Sequence, residues 1–340
     1  MAKNRIATCY FPTTTLFLDD GVNFLKDLSL QLDEALAYRL FYEPYKALRF
    51  LKDNYHPYVN PRQWLSDLKN RGDLGDLEKD EFTHSFVDID IFSIHKMIYI
   101  PDRFSEISVA VIDYAMPAMN GLEFCAATSD LPIKKIILTG QAGHSTAVRA
   151  FNEKLIDRFI MKGEYGFLKT LHDAIHDLQR DYFSDLSDII IKNLEANPRS
   201  CLGDPIFLAF FDKFKTDHHI IEYYLVKESG CFLMLDEKNK MHWLIVKAEA
   251  DMQEFTEIAE GNDASRSIVD ALKQREKLLF LFTKEDEVNI SVDKWKDYLF
   301  PVKKLAGQFN DYYYAVIDGP SKYDVYPDKI HFYKDHLKKM

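Results

Sequence analysis

The chain is predicted to be an α/β protein: a doubly wound, five-stranded parallel sheet followed by a second, α+β unit built on an antiparallel meander. Three observations lead there. Between Thr13 and about Tyr182, short apolar runs alternate with helical patterns, as a parallel sheet covered on both faces requires. The run holding Val109, Val111 and Ile112 is apolar on both alternating faces, which suits a strand buried on both sides. Finally, 340 residues are too many for one ordinary core and fit two units of about 150 residues each.

The expected strands are residues 14–18, 38–42, 107–112, 135–138 and 158–161. Between them, Leu25, Leu28, Leu32 and Leu36 recur at three- and four-residue spacing, the pattern of a helix with one apolar face. Pro44 opens the next helix at a first-turn position, where its missing N–H costs nothing. A further helix is expected from near Ala118. The fifth reads Phe167, Leu171, Ile175, Leu178 and Tyr182, and its spacing continues through Leu186, Ile190 and Leu194 to a stop at NPRS, 197–200.

One spacing is too long. Two helices, a strand and short connections should separate the first and third strands by about 45 residues, yet Asp20 and Asp113 stand 93 apart. The excess is placed at 56–106. It holds a helix-like piece around Trp64 and Leu68, a charged turn at 70–81, and an apolar stretch, FVDIDIFSIHKMIYI, at 86–100 that should pack on the first domain. After the fifth helix come FLAFFDKF at 207–214 and the runs EYYLV, CFLML and HWLIV, separated by KESG and DEKNKM, which read as the meander. Helical segments at 252–259 and 265–273, a strand-like KLLFLFT at 277–283 and a final YYYAVIDGP at 312–320 complete the second unit. The expected division is 1–182, a helical linker at 183–204, and 205–340.

Composition narrows the classes. Apolar residues make up 47% of the chain, with 25 Phe and 19 Tyr, which excludes a disordered protein. The absence of a long apolar run or a signal peptide leads us to expect a cytoplasmic protein without membrane contact. Cys9, Cys125, Cys201 and Cys231 lack metal-site spacing and read as reduced core thiols. Net charge is −11, of which residues 185–340 carry −6, so neither half has a basic signature for nucleic acid.

Chemistry gathers in the first unit. Asp113 ends the third strand; taken alone it is as readily a loop or helix cap as a reacting group. Asp19 and Asp20 follow the first strand, Thr139 the fourth and Lys162 the fifth. In a doubly wound sheet these ends converge on one crevice. Three carboxylates there repel one another unless a cation sits among them, and a hard ion such as Mg²⁺, completed by waters and phosphate oxygens, relieves this.

These residues resemble the flavodoxin-like receiver domain of two-component response regulators. The matching stretches are FLDD at 17–20, VIDYAMPAMNG at 111–121, IILTG at 136–140 and FIMK at 159–162. The resemblance implies an aspartyl phosphate on Asp113, donated by a sensor histidine kinase or phosphotransfer protein. It implies Mg²⁺ held by Asp20, Asp113 and the Ala115 carbonyl, with Asp19 acting through a water. Lys162 would pair with the phosphoryl oxygens, Thr139 would move inward, and Phe159 would turn with it, changing the surface around the fourth helix, fifth strand and fifth helix and driving homodimerisation. Gly163 departs from the proline usual after the lysine. The protein is thus expected to be a switch rather than an enzyme with turnover.

The whole-chain architecture resembles a quorum-sensing class of response regulator, which implies control of gene expression through an output unit that binds nucleic acid or nucleotide. The residues offer Lys294, Lys296, Lys303 and Lys304, interleaved with Trp295, Tyr298 and Phe300, as a surface for it; a solvated face is the plainer reading. A protein-interaction module is the alternative. His218, His219 and Glu222 lack a third partner for a metal site. A haloacid-dehalogenase-like phosphatase, using Asp88 and Asp90 with Thr139 and Lys162, is a remote alternative because it leaves DYAMPAMNG unexplained.

Overall fold

The structure, a computed structural model, describes residues 5–55, 64–67, 87–140, 150–281, 289–319 and 325–340. Its strands begin with β1 (Cys9–Tyr10), β2 (Thr14–Leu18), β3 (Tyr38–Phe41), β4 (Leu65–Asp67), β5 (Val87–Ile89), β6 (Ile107–Asp113), β7 (Lys134–Thr139) and β8 (Arg158–Met161). They continue with β9 (Ile220–Lys227), β10 (Cys231–Asp236), β11 (Met241–Ala248), β12 (Lys277–Leu279), β13 (Leu299–Pro301), β14 (Lys303–Ala306) and β15 (Asp311–Asp318).

The five expected strands form one parallel sheet in the order β3-β2-β6-β7-β8. Alternation along β6 sends Ala110 and Ile112 into the core with Leu16, Ala47 and Phe124, and Val109 and Val111 into the opposite core with Phe17, Leu25 and Leu171. Helices therefore cover both faces. The strand order reverses between β2 and β6, which places the crevice outside their carboxyl ends.

Local chemistry sets the helix limits. The first helix spans Val22–Ser29 and stops before Leu32 and Leu36. Asp33 accepts the Ala35 N–H at 2.8 Å, a turn that takes the chain out of the helix while both leucines stay buried. The helix expected from near Ala118 begins instead at Gly121. Ala118 has φ 70°, and Asn120 forms a reciprocal capping box with Glu123, so the helix nucleates three residues later.

The second unit is a six-stranded antiparallel sheet, β1-β9-β10-β11-β15-β14, which contains the expected meander. Its first strand comes from the amino-terminal segment: Cys9 pairs with Tyr224 and Tyr10 with Tyr223. Of the strand-like 277–283 run, whose last two residues lie outside the described residues, Lys277–Leu279 forms a strand paired with β13 in a separate ribbon. One helix, Phe167–Glu195, runs unbroken from the first sheet to the second. Thr8 Oγ1 and Ser187 Oγ, 2.9 Å apart, fasten the amino-terminal segment to it.

The inserted segment differs from expectation in two ways. Leu65–Asp67 is not helical; it is a strand whose ladder is supplied by Val87–Ile89, a partner too distant for local periodicity to reveal. The apolar stretch does not pack on the first sheet. It forms short 3₁₀ turns, Ile91–Ser93, His95–Tyr99 and Pro101–Ser105, whose Ile94, Ile98 and Phe104 join Trp64, Phe183 and Leu225 in the core of the second sheet. The charged turn at 70–81 and Leu68 lie outside the described residues.

Candidate functional site

The carboxyl ends of β2, β6, β7 and β8 come level: Asp113 registers with Leu138, and Thr139 with Met161. Asp19, Asp113 and Thr139 are buried, while Asp20 is exposed. One carboxylate oxygen from each of Asp19, Asp20 and Asp113 lies within 4.8 Å of the others. Lys162 Nζ donates to Asp19 Oδ2 at 2.6 Å and to Asp113 Oδ1 at 2.5 Å. The Phe24 ring faces the same ammonium, its centroid 4.2 Å away.

Backbone groups orient the acids. The Gly21 N–H donates to Asp19 Oδ1 and the Ala115 N–H to Asp113 Oδ2, each at 2.8 Å. Asp113 therefore caps its own loop with one oxygen and faces the lysine with the other, so the two sequence readings of this acid meet in one side chain. The Lys162 N–H is held by the Thr139 carbonyl at 2.8 Å. Gly163 is not demanded by packing, since a Cβ there would meet nothing within 4 Å.

Gly121 is demanded. A Cβ at this position would lie 2.4 Å from the carbonyl oxygen of Asp113 itself, so the Asn-Gly of the motif lets the helix start pack directly on the acid's backbone. Gly121→Ala must shift that backbone, and we expect a loss of roughly 1–3 kcal/mol in urea unfolding, the usual cost of forcing atoms into a filled site. An unchanged unfolding midpoint would show that the contact relaxes freely.

Asp19 and Lys162 both hold their protons more tightly than usual, for different reasons. Burial lifts the Asp19 carboxyl above its ordinary 3.8, against the opposing pull of Lys162 and the Gly21 N–H. Burial opposes the charge on Lys162, but its bonds to Asp113 and Asp19 outweigh this and raise it above the ordinary lysine value. An acid with a raised pKa costs stability once ionised; the cost is absent below 3.8 and complete above the raised value. A bound divalent cation offsets that cost. Mg²⁺ should therefore raise the melting temperature at neutral pH, and the gain should shrink on acidification before pH 3.8 is reached. A gain independent of pH would count against Asp19 facing the ion.

The remaining candidates fall elsewhere. Phe159 is half-buried on β8, against the core containing Ile137. Most of the loop after Gly140 lies outside the described residues. Asp90 caps a 3₁₀ turn, accepting from Ser93 N at 3.2 Å and Ser93 Oγ at 2.6 Å, so this acid of the DxD pair is engaged in local structure. Glu222 is not on a helical turn with His218 and His219; it sits in β9, 1% exposed, paired with Arg103. Lys294 and Lys296 flank a Trp295 that is buried at 5% exposure and unable to stack on a base. Lys303 and Lys304 lie on the edge strand β14, where Lys304 pairs with Asp311 at 2.6 Å. Lysines on an exposed edge discourage pairing with another chain. The four cysteines are buried free thiols, with Cys125 pushed up to about 12 by burial. No described helix is long and apolar enough to cross a membrane.

Sequence reading missed Phe24 and Arg103. The ring's position six residues after β2 was a usable signal, because the helix that follows must pass over the crevice. Arg103 left none.

A parallel sheet in this order, with an acid pair, a third acid, a threonine and a lysine at successive strand ends, defines a response regulator with a CheY-like receiver domain. Among solved structures, the Legionella pneumophila response regulator LqsR aligns over 98% of this chain and 96% of its own, with 38% identity and a TM-score of 0.80. The chain belongs to the LqsR family of response regulators. An adenylate cyclase from Rhodopirellula baltica aligns over 54% of this chain and 96% of its own at 18% identity and TM-score 0.34. A CheY-like receiver domain protein from Methanospirillum hungatei JF-1 aligns over 51% and 98% at 16% identity and TM-score 0.32. Neither of these two likenesses bears on function. No protein-family model and no curated protein matches.

Proposed function

We propose that this chain is a phosphorylation-controlled switch whose acceptor is Asp113. The observation that carries the reading is Lys162 bridging Asp19 and Asp113, within a trio of acids whose oxygens lie 4.8 Å or less apart. The carboxylate oxygen of Asp113 attacks the phosphorus of a phosphohistidine on a sensor kinase or phosphotransfer protein. The P–O bond forms as the P–N bond breaks, and the nitrogen's electron pair leaves with the histidine. Lys162 then turns its charge to the phosphoryl oxygens, and the Ala115 N–H keeps the acid oriented. Asp20 and Asp113, with the Ala115 carbonyl and Asp19 through a water, would hold a divalent ion such as Mg²⁺. When bound, this ion supplies neutralisation of phosphoryl charge.

A phosphoryl group brings about 1.5 to 2 negative charges and three acceptor oxygens. Thr139 moves toward them, Phe159 follows, and the face of β8 and the long helix changes, altering the homodimer equilibrium. The test is incubation with Mg²⁺ and acetyl phosphate followed by intact-mass measurement, and with beryllofluoride followed by light scattering. A wild-type chain that gains no phosphoryl mass under these conditions refutes the acceptor role; one that gains it without any change in size refutes the coupling to dimerisation.

A further inference from the structure

Lys162 must hold its charge at one point; its backbone is fixed by the Thr139 carbonyl at 2.8 Å and its ammonium by two acids. Its ammonium rests on Asp19 and Asp113, but the side chain has four rotatable methylenes. The residue that follows, Gly163, is free of neighbours within 4 Å of where a Cβ would stand. A further contact is the ring of Phe24, 4.2 Å from Nζ. Phe24 belongs to the helix Val22–Ser29 and is half-buried on the core that contains Phe17, Val111 and Leu171, so its ring is anchored in the fold.

Gly21 makes the approach possible. A Cβ there would lie 2.9 Å from Asp19 Oδ1 and 3.4 Å from Phe24 Cβ. Without it, the turn after β2 brings Asp19, its backbone donor and the ring around one ammonium. The choice of ring has a chemical consequence. An aromatic face attracts a cation through its quadrupole while adding no net charge and no strong acceptor. A fourth acid in its place would neutralise the lysine and repel an arriving phosphoryl group.

We infer that Phe24 is a positioning residue for phosphoryl acceptance: its ring joins Asp19 in holding the Lys162 ammonium beside Asp113. The inference rests on the reading of Asp113 as the acceptor. It is tested with full-length Phe24→Leu, Phe24→Met, Phe24→Tyr and Phe24→Trp. Initial rates of Mg²⁺-dependent labelling by saturating acetyl phosphate should fall about three- to tenfold in Phe24→Leu, the range one partly exposed cation–π contact supplies, and stay within about twofold of wild type in Phe24→Tyr and Phe24→Trp. If Phe24→Leu melts markedly lower than wild type, Phe24→Met, of closer shape but without a ring face, decides instead.

A second readout needs no phosphoryl donor. The Lys162 ammonium protons should exchange slowly enough for NMR detection in wild type and Phe24→Trp, and be lost in Phe24→Leu and Phe24→Met. Wild-type labelling rates in the aliphatic variants, equal losses in the aromatic ones, or a surviving ammonium signal in the aliphatic ones would overturn the inference. If wild type itself takes no label, the acceptor reading fails, and the NMR comparison alone judges the hold of Phe24 on Lys162.

Discussion

Asp113→Asn should fold as the wild type does and accept no phosphoryl group, with labelling from acetyl phosphate and Mg²⁺ reduced by at least about a thousandfold, as expected when a nucleophile is removed. The amide keeps the shape of the carboxylate, and its oxygen still accepts the Ala115 N–H that fixes the loop at 2.8 Å. Lys162 retains Asp19 at 2.6 Å. What disappears is the negative oxygen proposed to attack phosphorus, together with its bond to Lys162 and one of three mutually repelling charges. The lost bond and the relieved repulsion oppose each other, so the unfolding midpoint should change little while labelling is lost. Intact mass and urea unfolding read the two effects separately. Substantial labelling of the variant would place the acceptor on another residue.

Arg103→Met should cost about 3–5 kcal/mol, the range for removing one member of a buried ion pair. Arg103 is fully buried, and all five of its N–H donors are used. Nε and Nη2 donate to Glu222 Oε1 at 3.0 and 2.6 Å, and Nη2 also to the His331 carbonyl at 2.7 Å. Nη1 donates to the Ile98 and Ile100 carbonyls at 3.0 and 2.8 Å. The guanidinium carbon lies 4.0 Å from the Phe104 ring centroid, and the Tyr224 hydroxyl donates to the same Glu222 oxygen. Met fills much of the volume but leaves Glu222 buried without its cation and takes a donor from each of the Ile98, Ile100 and His331 carbonyls, of which Ile98 keeps the His331 N–H.

The double variant Arg103→Met, Glu222→Leu should regain most of the loss, because it removes the stranded charge. Urea unfolding of both variants checks this. Equal losses in single and double variants would mean that the carbonyl bonds, not the ion pair, hold the segment. Three residues separate Arg103 from the start of β6, the strand that ends in Asp113. Glu106, just before β6, receives the Tyr182 hydroxyl of the long helix, which is itself 2.9 Å from the Tyr55 hydroxyl. The strand that carries Asp113 is thus rooted in the contact between the two sheets.

The amino-acid sequence by itself determined the parallel sheet and the membership of its site. Four of the five strands announce themselves within a few residues, as an apolar run ending in an acid, a threonine or a lysine, and sheet topology then forces those ends together without any further information. Gly121 was legible as part of a motif, though its reason, the approach to the carbonyl of Asp113, is a matter of tenths of an ångström in three dimensions. Tertiary structure alone decided where the inserted segment goes and which residue pairs with Arg103. Arg103 and Glu222 are 119 residues apart, and β1 pairs with a strand beginning at Ile220. Such pairings leave no local periodicity, because the physical demand for a partner, an unpaired buried charge or an open strand edge, is met by whichever distant element folding brings alongside.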